Sequence, residues 1–385
     1  MAMDRSKWEY KKLTNVCSIQ YGYPFDSKCF NENNQGRPLI RIRDVVRGFT
    51  ETYTTENCPD EYIIKEGEFL VGMDGEFNIS AWKSAPALLN QRVCKITADG
   101  KNLTDGFMYY LMKTKLKEIE GETAFVTVKH LSAKVLNKVL VQLPSVADQQ
   151  RIVAELDCLN EMIAVKQEQL KEFDKLAQSI FYDMFGDPVE NERGWKKEEM
   201  GNICTITSSK RIFANEYCEE GVPFYRGKEI TELSKGLPIS IELNISKERY
   251  EEIKTEFGIP SVGDILITAV GTIGNIWVVD DDRPFYFKDG NIIWLKDIKG
   301  FEPIFFRKLL SLQIEAYKHE MAQGCAYNAL TIVNLKKMKA LQPPLALQQE
   351  FADKISAIEA QKELVKQSIA ETQHLLDYTM DKYFG

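Results

Sequence analysis

The chain has 385 residues, 44% hydrophobic and 28% charged, a balance of folded domains that excludes disordered and collagen-like polymers. No run approaches the roughly 18 apolar residues of a membrane-spanning helix, and the opening MAMDRSKWEY has no apolar signal core, so no membrane association and a cytoplasmic location are expected. The net charge of −8 excludes a uniformly basic nucleic-acid binder. Its distribution leaves local basic surface open, because residues 1–148 hold 20 basic and 19 acidic side chains while 149–186 and 343–385 each hold 4 and 7.

Taken in order, the chain opens on Trp8, Leu13, Val16, Cys17 and Ile19, then a loop in which Tyr21, Tyr23 and Phe25 alternate with Gly22 and Pro24. Ile40-Arg41-Ile42-Arg43 alternates, which predicts a strand with both arginines on one face, and Arg47 follows. Residues 69–71 read as a buried strand, 106–120 as a helix, Gly121 as the start of a loop, and 139–141 as a last short strand. Ser145 and Asp148 then form a capping box for a helix over about 147–185, closed by Gly186 and Pro188. Ile152, Leu156, Leu159, Ile163, Lys166, Leu170, Phe173, Ala177, Ile180 and Met184 alternate steps of four and three, the stripe of a coiled-coil seam broken by one lysine. Such a helix would be roughly 55 to 60 Å long.

The same order then repeats. Trp195, Met200, Ile203, Cys204 and Ile206 answer the opening residues at a shift of 187; the shift is 185 at Pro38 against Pro223 and 196 at Gly67 against Gly263. Residues 265–270 read as a strand, Gly271 to Gly274 as a tight hairpin turn into a strand from Ile276 that ends at the acidic triplet Asp280, Asp281 and Asp282, 303–321 as a helix, Gly324 as a loop and 338–341 as a strand. Pro343 and Gln348-Gln349 answer Pro144 and Gln149-Gln150 at a shift of 199. The second stripe is Phe351, Ile355, Ile358, Lys362, Val365, Ile369, Thr372, Leu376, Thr379 and Tyr383. The expected fold class is therefore α/β of the α+β kind: two domains with irregular mixed sheets, at 1–143 and 187–342, and two long helical segments, at 144–186 and 343–385, in an internal repeat.

No phosphate loop GxxxxGK[ST], no GxGxxG opening a helix and no HExxH is present. His130, His319 and His374 lie far apart, and eight scattered cysteines without CxxC read as small buried hydrophobes. Binding features are stronger. Tyr21 and Tyr23 beside Arg41, Arg43 and Arg47 pair aromatic and guanidinium groups suited to bases and phosphates. Gln91, Arg92 and Lys129 in the first copy, and Arg226, Lys228, Lys288, Asn291 and Asn328 in the second, are further DNA-contacting candidates on polar loops near the repeat anchors. Core anchors recur between the copies while the intervening segments differ, which implies two ligands or two halves of an asymmetric one. On the long helices Asp157 and Glu161, Glu168 and Glu172, Glu359 and Glu363, and Asp377 and Asp381 are like charges four apart, which an isolated helix tolerates poorly. The first three pairs are the expected docking face for a basic protein partner.

The W-x₄-L-x-x-[VI]-C opening at Trp8, answered with methionine for leucine at Trp195, GDILITAVGTIG at 263–274, the Leu-Pro to Gln-Gln approach to each long helix and the closing Phe-Gly resemble the specificity subunit of type I restriction-modification systems over nearly the whole chain. The first copy departs from that form at 67–75. The resemblance implies two target-recognition domains, each reading one half of a bipartite asymmetric site in double-stranded DNA, joined by two long antiparallel coiled-coil helices in a pseudo-two-fold arrangement. It implies two methyltransferase subunits and restriction/translocase subunits as partners, and a non-catalytic chain that binds no cofactor, with S-adenosylmethionine, ATP and Mg²⁺ held by those partners. A bivalent protein scaffold without DNA binding is the alternative reading of the repeat.

Overall fold

The computed structural model describes residues 5–122, 130–322 and 329–385. It divides into two compact units: Met1–Glu168 with Lys366–Gly385, and Gln169–Val365. Each takes a part of both long helices.

In the first unit an antiparallel sheet of four strands runs in the order Cys17–Tyr21, Val93–Ala98, Phe69–Gly72, Ile79–Ala81. A second, mixed sheet runs Phe30–Asn31, Tyr53–Thr54, Arg37–Ile40, Ala87–Leu89, Ile63–Ile64, with Arg37–Ile40 parallel to Ala87–Leu89. Helices α1 (Ile42–Arg47), α2 (Asp105–Glu122) and α3 (Ala133–Leu136) follow, and Glu9–Lys12 pairs with Leu140–Leu143 before α4 (Val146–Phe185) leaves. Phe107, Leu111, Ile152 and Leu156 share one core with the four-stranded sheet.

The second unit repeats the plan with α5 (Met200–Ile203), α6 (Gly227–Ser234), α7 (Lys247–Glu256), α8 (Pro303–Ala322), α9 (Ile332–Lys337) and α10 (Leu345–Phe384). Its sheets run Thr205–Thr207, Ile292–Lys296, Ile265–Thr268, Ile276–Val278, and Tyr217–Cys218, Asn244–Ile245, Val222–Tyr225, Tyr286–Phe287; the last pair is parallel. Equivalences reach single atoms. The Cys17 thiol donates to the Leu13 carbonyl at 3.1 Å, and Cys204 donates to Met200 at 3.4 Å. Gly67 and Gly263 both take positive φ, and Glu68 and Asp264 each accept a backbone N–H three residues back, so this anchor keeps its geometry despite the divergent sequence.

Both helices are 40 residues long, and every stripe position on each is buried or half-buried. Ser145 caps α4 through Asp148 as expected: its hydroxyl accepts the Asp148 N–H at 3.2 Å and donates to the carboxylate at 2.8 Å. In the first unit the Tyr383 hydroxyl donates to Glu155 at 2.8 Å, and Lys166 donates to Thr372 Oγ1 at 2.7 Å. In the second, Phe351 meets Phe181 and Phe185 at 5.6 and 5.5 Å between ring centres, and Lys362 reaches Asp174 at 2.8 Å. Within each unit the later residue of one helix meets the earlier of the other, so the pairing is antiparallel. Both stripe lysines therefore find oxygen partners.

Three expectations need correction. Ile40 to Arg43 is not one strand: Arg37–Ile40 ends at Ile40 and α1 begins at Ile42, because Asp44 accepts the Arg41 N–H at 2.8 Å and Gly48, at positive φ, ends the helix. Gly121 lies inside the last turn of α2. The Gly271 to Gly274 turn does connect antiparallel strands, but as a longer loop over 269–275 folded onto Thr268, whose hydroxyl accepts the Asn275 N–H at 3.0 Å and donates to the Thr272 carbonyl. The Gly324 loop lies outside the described residues.

Candidate nucleic-acid interface

In the first unit the parallel strands pair Ile40 with Leu89, so Arg41 and Asn90 leave the sheet side by side. Tyr23 bridges to Asn90, donates its N–H to Leu89 at 2.9 Å and accepts the Gln91 N–H at 3.0 Å. This close approach requires Gly22, since a Cβ there would lie 2.0 Å from the Asn90 carbonyl oxygen. Tyr23, Arg41 and Gln91 thus share one sheet edge. Arg41 and Gln91 are exposed, while the Tyr23 ring is half-buried against Phe25 and Tyr62.

On α1, Arg43 lies 3.8 Å from both Glu32 and Asp44, and Arg47 lies 3.9 Å from Glu51. A neighbouring strip is built by Met73, whose N–H meets the Arg92 carbonyl and whose carbonyl accepts from Leu131. Here Asp74 holds Arg92 at 3.1 Å and His130 Nδ1 at 2.5 Å. Tyr21 sits on its strand opposite Cys94, packed against the core. Its hydroxyl is enclosed without a hydrogen-bond partner among the described residues, and burial pushes its pKa up. Lys129 lies outside the described residues.

The second unit builds the same edge from other side chains. Tyr225 pairs with Phe287 and accepts the Lys288 N–H at 2.9 Å, so Arg226 and Lys288 leave the sheet together. Glu229 accepts the Arg226 N–H at 2.8 Å, as Asp44 does for Arg41; both carboxylates are 1% exposed. The Arg226 guanidinium also reaches Glu229 at 2.8 Å and Glu242 at 2.5 Å, and Lys228 reaches Glu242 at 2.7 Å. These bonds hold the Arg226 pKa above its ordinary value. Asn291 stands where Arg92 does, its carbonyl accepting the Ala269 N–H at 2.8 Å, with Val270 bridged to Ala329. Asn328 lies outside the described residues. Guanidinium, ammonium and amide groups on such edges can donate to phosphate oxygens and to base edges.

Of the acidic helix candidates, Asp157, Glu161, Glu168, Glu172, Glu359 and Glu363 are all exposed. Asp157 accepts the Tyr110 hydroxyl at 2.5 Å, so burial and this carboxylate together raise the tyrosine's pKa. Glu172 pairs with Lys175 and Glu359 with Lys362, at 2.6 and 2.9 Å. Sequence reasoning missed Asp44, Glu229, Asn90, Asp74 and Glu242. The first two carried a signal, an acid three residues after an arginine at the same repeat shift.

Among the described residues no three His, Cys, Asp or Glu side chains gather as a metal site would require. Cys17, Cys94 and Cys204 are buried, and desolvation pushes their thiols up to about 12, which leaves them unreactive. Cys158 is exposed, contrary to the reading of every cysteine as a buried hydrophobe.

One scaffold built twice, presenting different polar groups at one sheet edge, defines a duplicated recognition protein. Residues 5–173 and 192–374 match the model of the type I restriction modification DNA specificity domain, and the chain belongs to that family. It is 27% identical over 385 residues to the type I restriction enzyme EcoBI specificity subunit of Escherichia coli, covering 94% of this chain and 81% of the relative. It is 21% identical over 356 residues to the MjaVIII specificity subunit of Methanocaldococcus jannaschii, covering 84% and 82%. A chain from a solved structure of the type I restriction-modification system shares the fold with a TM-score of 0.63 at 19% identity over 98% of this chain and 97% of that one. The S subunit of M. genitalium shares it at 0.52 and 15%, over 98% and 96%.

Proposed function

We propose that this chain is the non-catalytic DNA-recognition subunit of a type I restriction-modification complex, reading a bipartite asymmetric site with unlike domains at 1–143 and 187–342. The observation that carries this reading is the paired edge: Arg41, Tyr23 and Gln91 in one copy answer Arg226 and Lys288 in the other, on the same backbone. Cationic groups supply affinity through phosphates, and the divergent loop side chains supply sequence choice. The long helices at 144–186 and 343–385 carry adenine methyltransferase and restriction/translocase subunits, which hold S-adenosylmethionine, ATP and Mg²⁺. The complex works in the cytoplasm; no helix among the described residues is long and apolar enough to cross a membrane.

Two results are expected. Random-sequence double-stranded DNA should shift in gels with the chain, alone or with a co-expressed methyltransferase, and the shift should weaken steeply with salt. Absence of salt-sensitive binding in both cases would favour a bivalent protein scaffold instead. Reversing the acidic face with Glu168→Lys and Glu172→Lys should weaken methyltransferase capture by about tenfold or more, since like charges set against each other across an interface cost several kcal/mol. Unchanged assembly in a pull-down titration would remove that face from the interface.

A further inference from the structure

Glu242 makes ion pairs that its counterpart in the first copy does not make. The copies match through Arg41 and Arg226, through Arg43 and Lys228, and through Asp44 and Glu229. Thr52 and Leu243 also correspond, because their carbonyls accept from Leu39 and Phe224 at equivalent strand positions, 2.8 and 2.9 Å. Glu51 is therefore the equivalent of Glu242. Its environment differs: Glu51 lies 3.9 Å from Arg47, one turn along α1, and no ion pair reaches Arg41 from it. In the second copy the chain between α6 and the return strand is longer, and it brings Glu242 back over the start of α6. There its two oxygens take Arg226 at 2.5 Å and Lys228 at 2.7 Å.

Resting on the DNA reading of these edges, we propose that Glu242 is an internal competitor for phosphate: a carboxylate that occupies Arg226 and Lys228 until DNA displaces it. The geometry fits this role. One carboxylate bridges an arginine and a lysine through separate oxygens, as a phosphate group would. The cluster is still reachable by solvent, the side chains of Glu242 and Lys228 being 48% and 51% exposed. Glu229, by contrast, is buried beneath Arg226 and fixes the start of α6, so it stays in place when Glu242 leaves. The two bonds hold the Glu242 carboxyl down to about 2, so it remains charged and competitive at any physiological pH. Non-specific DNA offers phosphates alone and must trade them against an equivalent ion pair. The exchange weakens binding to every sequence alike, and only a cognate half-site adds base contacts that repay it. The first domain has no such exchange at Arg41 and would engage random sequence more readily.

The test is fluorescence anisotropy of the full chain with random-sequence duplex DNA across a salt series. Glu242→Gln keeps the size and removes the charge. It should tighten binding about three- to tenfold at low salt and steepen the salt slope by about one to two, the share of two released cations. Adding Lys228→Gln should remove about half of the added slope. Glu51→Gln, the equivalent change in the first copy, should alter affinity by less than about twofold, a difference exposed pairs commonly show. Thermal unfolding matched to the parent chain confirms that each variant is folded. If the parent binds but Glu242→Gln changes neither affinity nor slope, the competitor role is refuted. If no variant shows salt-sensitive binding, the DNA reading falls and the competitor role with it.

Discussion

Gln149→Leu is expected to lower the unfolding free energy of the first unit by about 3–5 kcal/mol, read as a displaced urea midpoint. Gln149 is fully buried at the start of α4, and its amide makes three hydrogen bonds, both donors included. Its Nε2 donates to the carbonyls of Asn102 at 2.6 Å and Pro144 at 3.1 Å, while its Oε1 accepts the Thr104 N–H at 2.9 Å. Leucine fills nearly the same space but removes the partner of three backbone groups, the Pro144 carbonyl in a buried bond and the other two in partly buried ones, each costing about 1–3 kcal/mol. Gln348 makes the same three bonds in the second unit, to Gly300, Pro343 and Glu302. A Gln149→Leu chain should therefore lose cooperativity, the first unit melting early and the second near its usual midpoint. A single unshifted transition would show that these bonds add little.

The second large effect is expected from Phe351→Ala, about 3–5 kcal/mol in the second unit by chemical denaturation. Phe351, Phe181, Phe185 and Phe305 are all 0% exposed. Phe351 meets the other three rings at 5.6, 5.5 and 6.1 Å between centres, so its removal opens a void that α4, α8 and α10 line together. Phe351→Leu should cost much less, because volume lost to the cavity sets the penalty. Equal losses for Ala and Leu would point to ring geometry instead of packing.

The long helices were legible because their pattern is redundant: of ten stripe positions per helix, nine on the first and seven on the second are apolar, and a single lysine cannot overturn that vote. Even those lysines behaved as packing demands, each drawn to oxygen atoms of the neighbouring helix. The misread strand at Ile40 to Arg43 failed for a local reason. Alternation over four residues is weak, and α1 starts on an arginine instead of the serine or threonine that usually announces a helix. Its real signals were Asp44 and Gly48, which hold the Arg41 N–H and end the last turn. The paired edges were legible only in part. Arg41, Gln91, Arg226 and Lys288 stood out as polar groups near repeat anchors, but Tyr21 looked the same from sequence and packs against the core. Glu242 gave no sequence signal, because its role depends on a loop returning over α6.

The first unit is built from both extremes of the chain, whereas the second is one uninterrupted stretch. This fixes an order of assembly. The second unit has its whole sequence once residue 365 has emerged, and it can condense while synthesis continues. The first must wait for residues 366–385 to lay Leu376, Tyr383 and Phe384 against its core. The bond between Glu155 and Tyr383 spans 228 residues, so closing the first unit closes a loop that contains the whole second unit. Until then Ile152, Leu156, Leu159 and Ile163 lack the cover of the second helix. Residues 366–385 are thus the clasp that covers this face of α4.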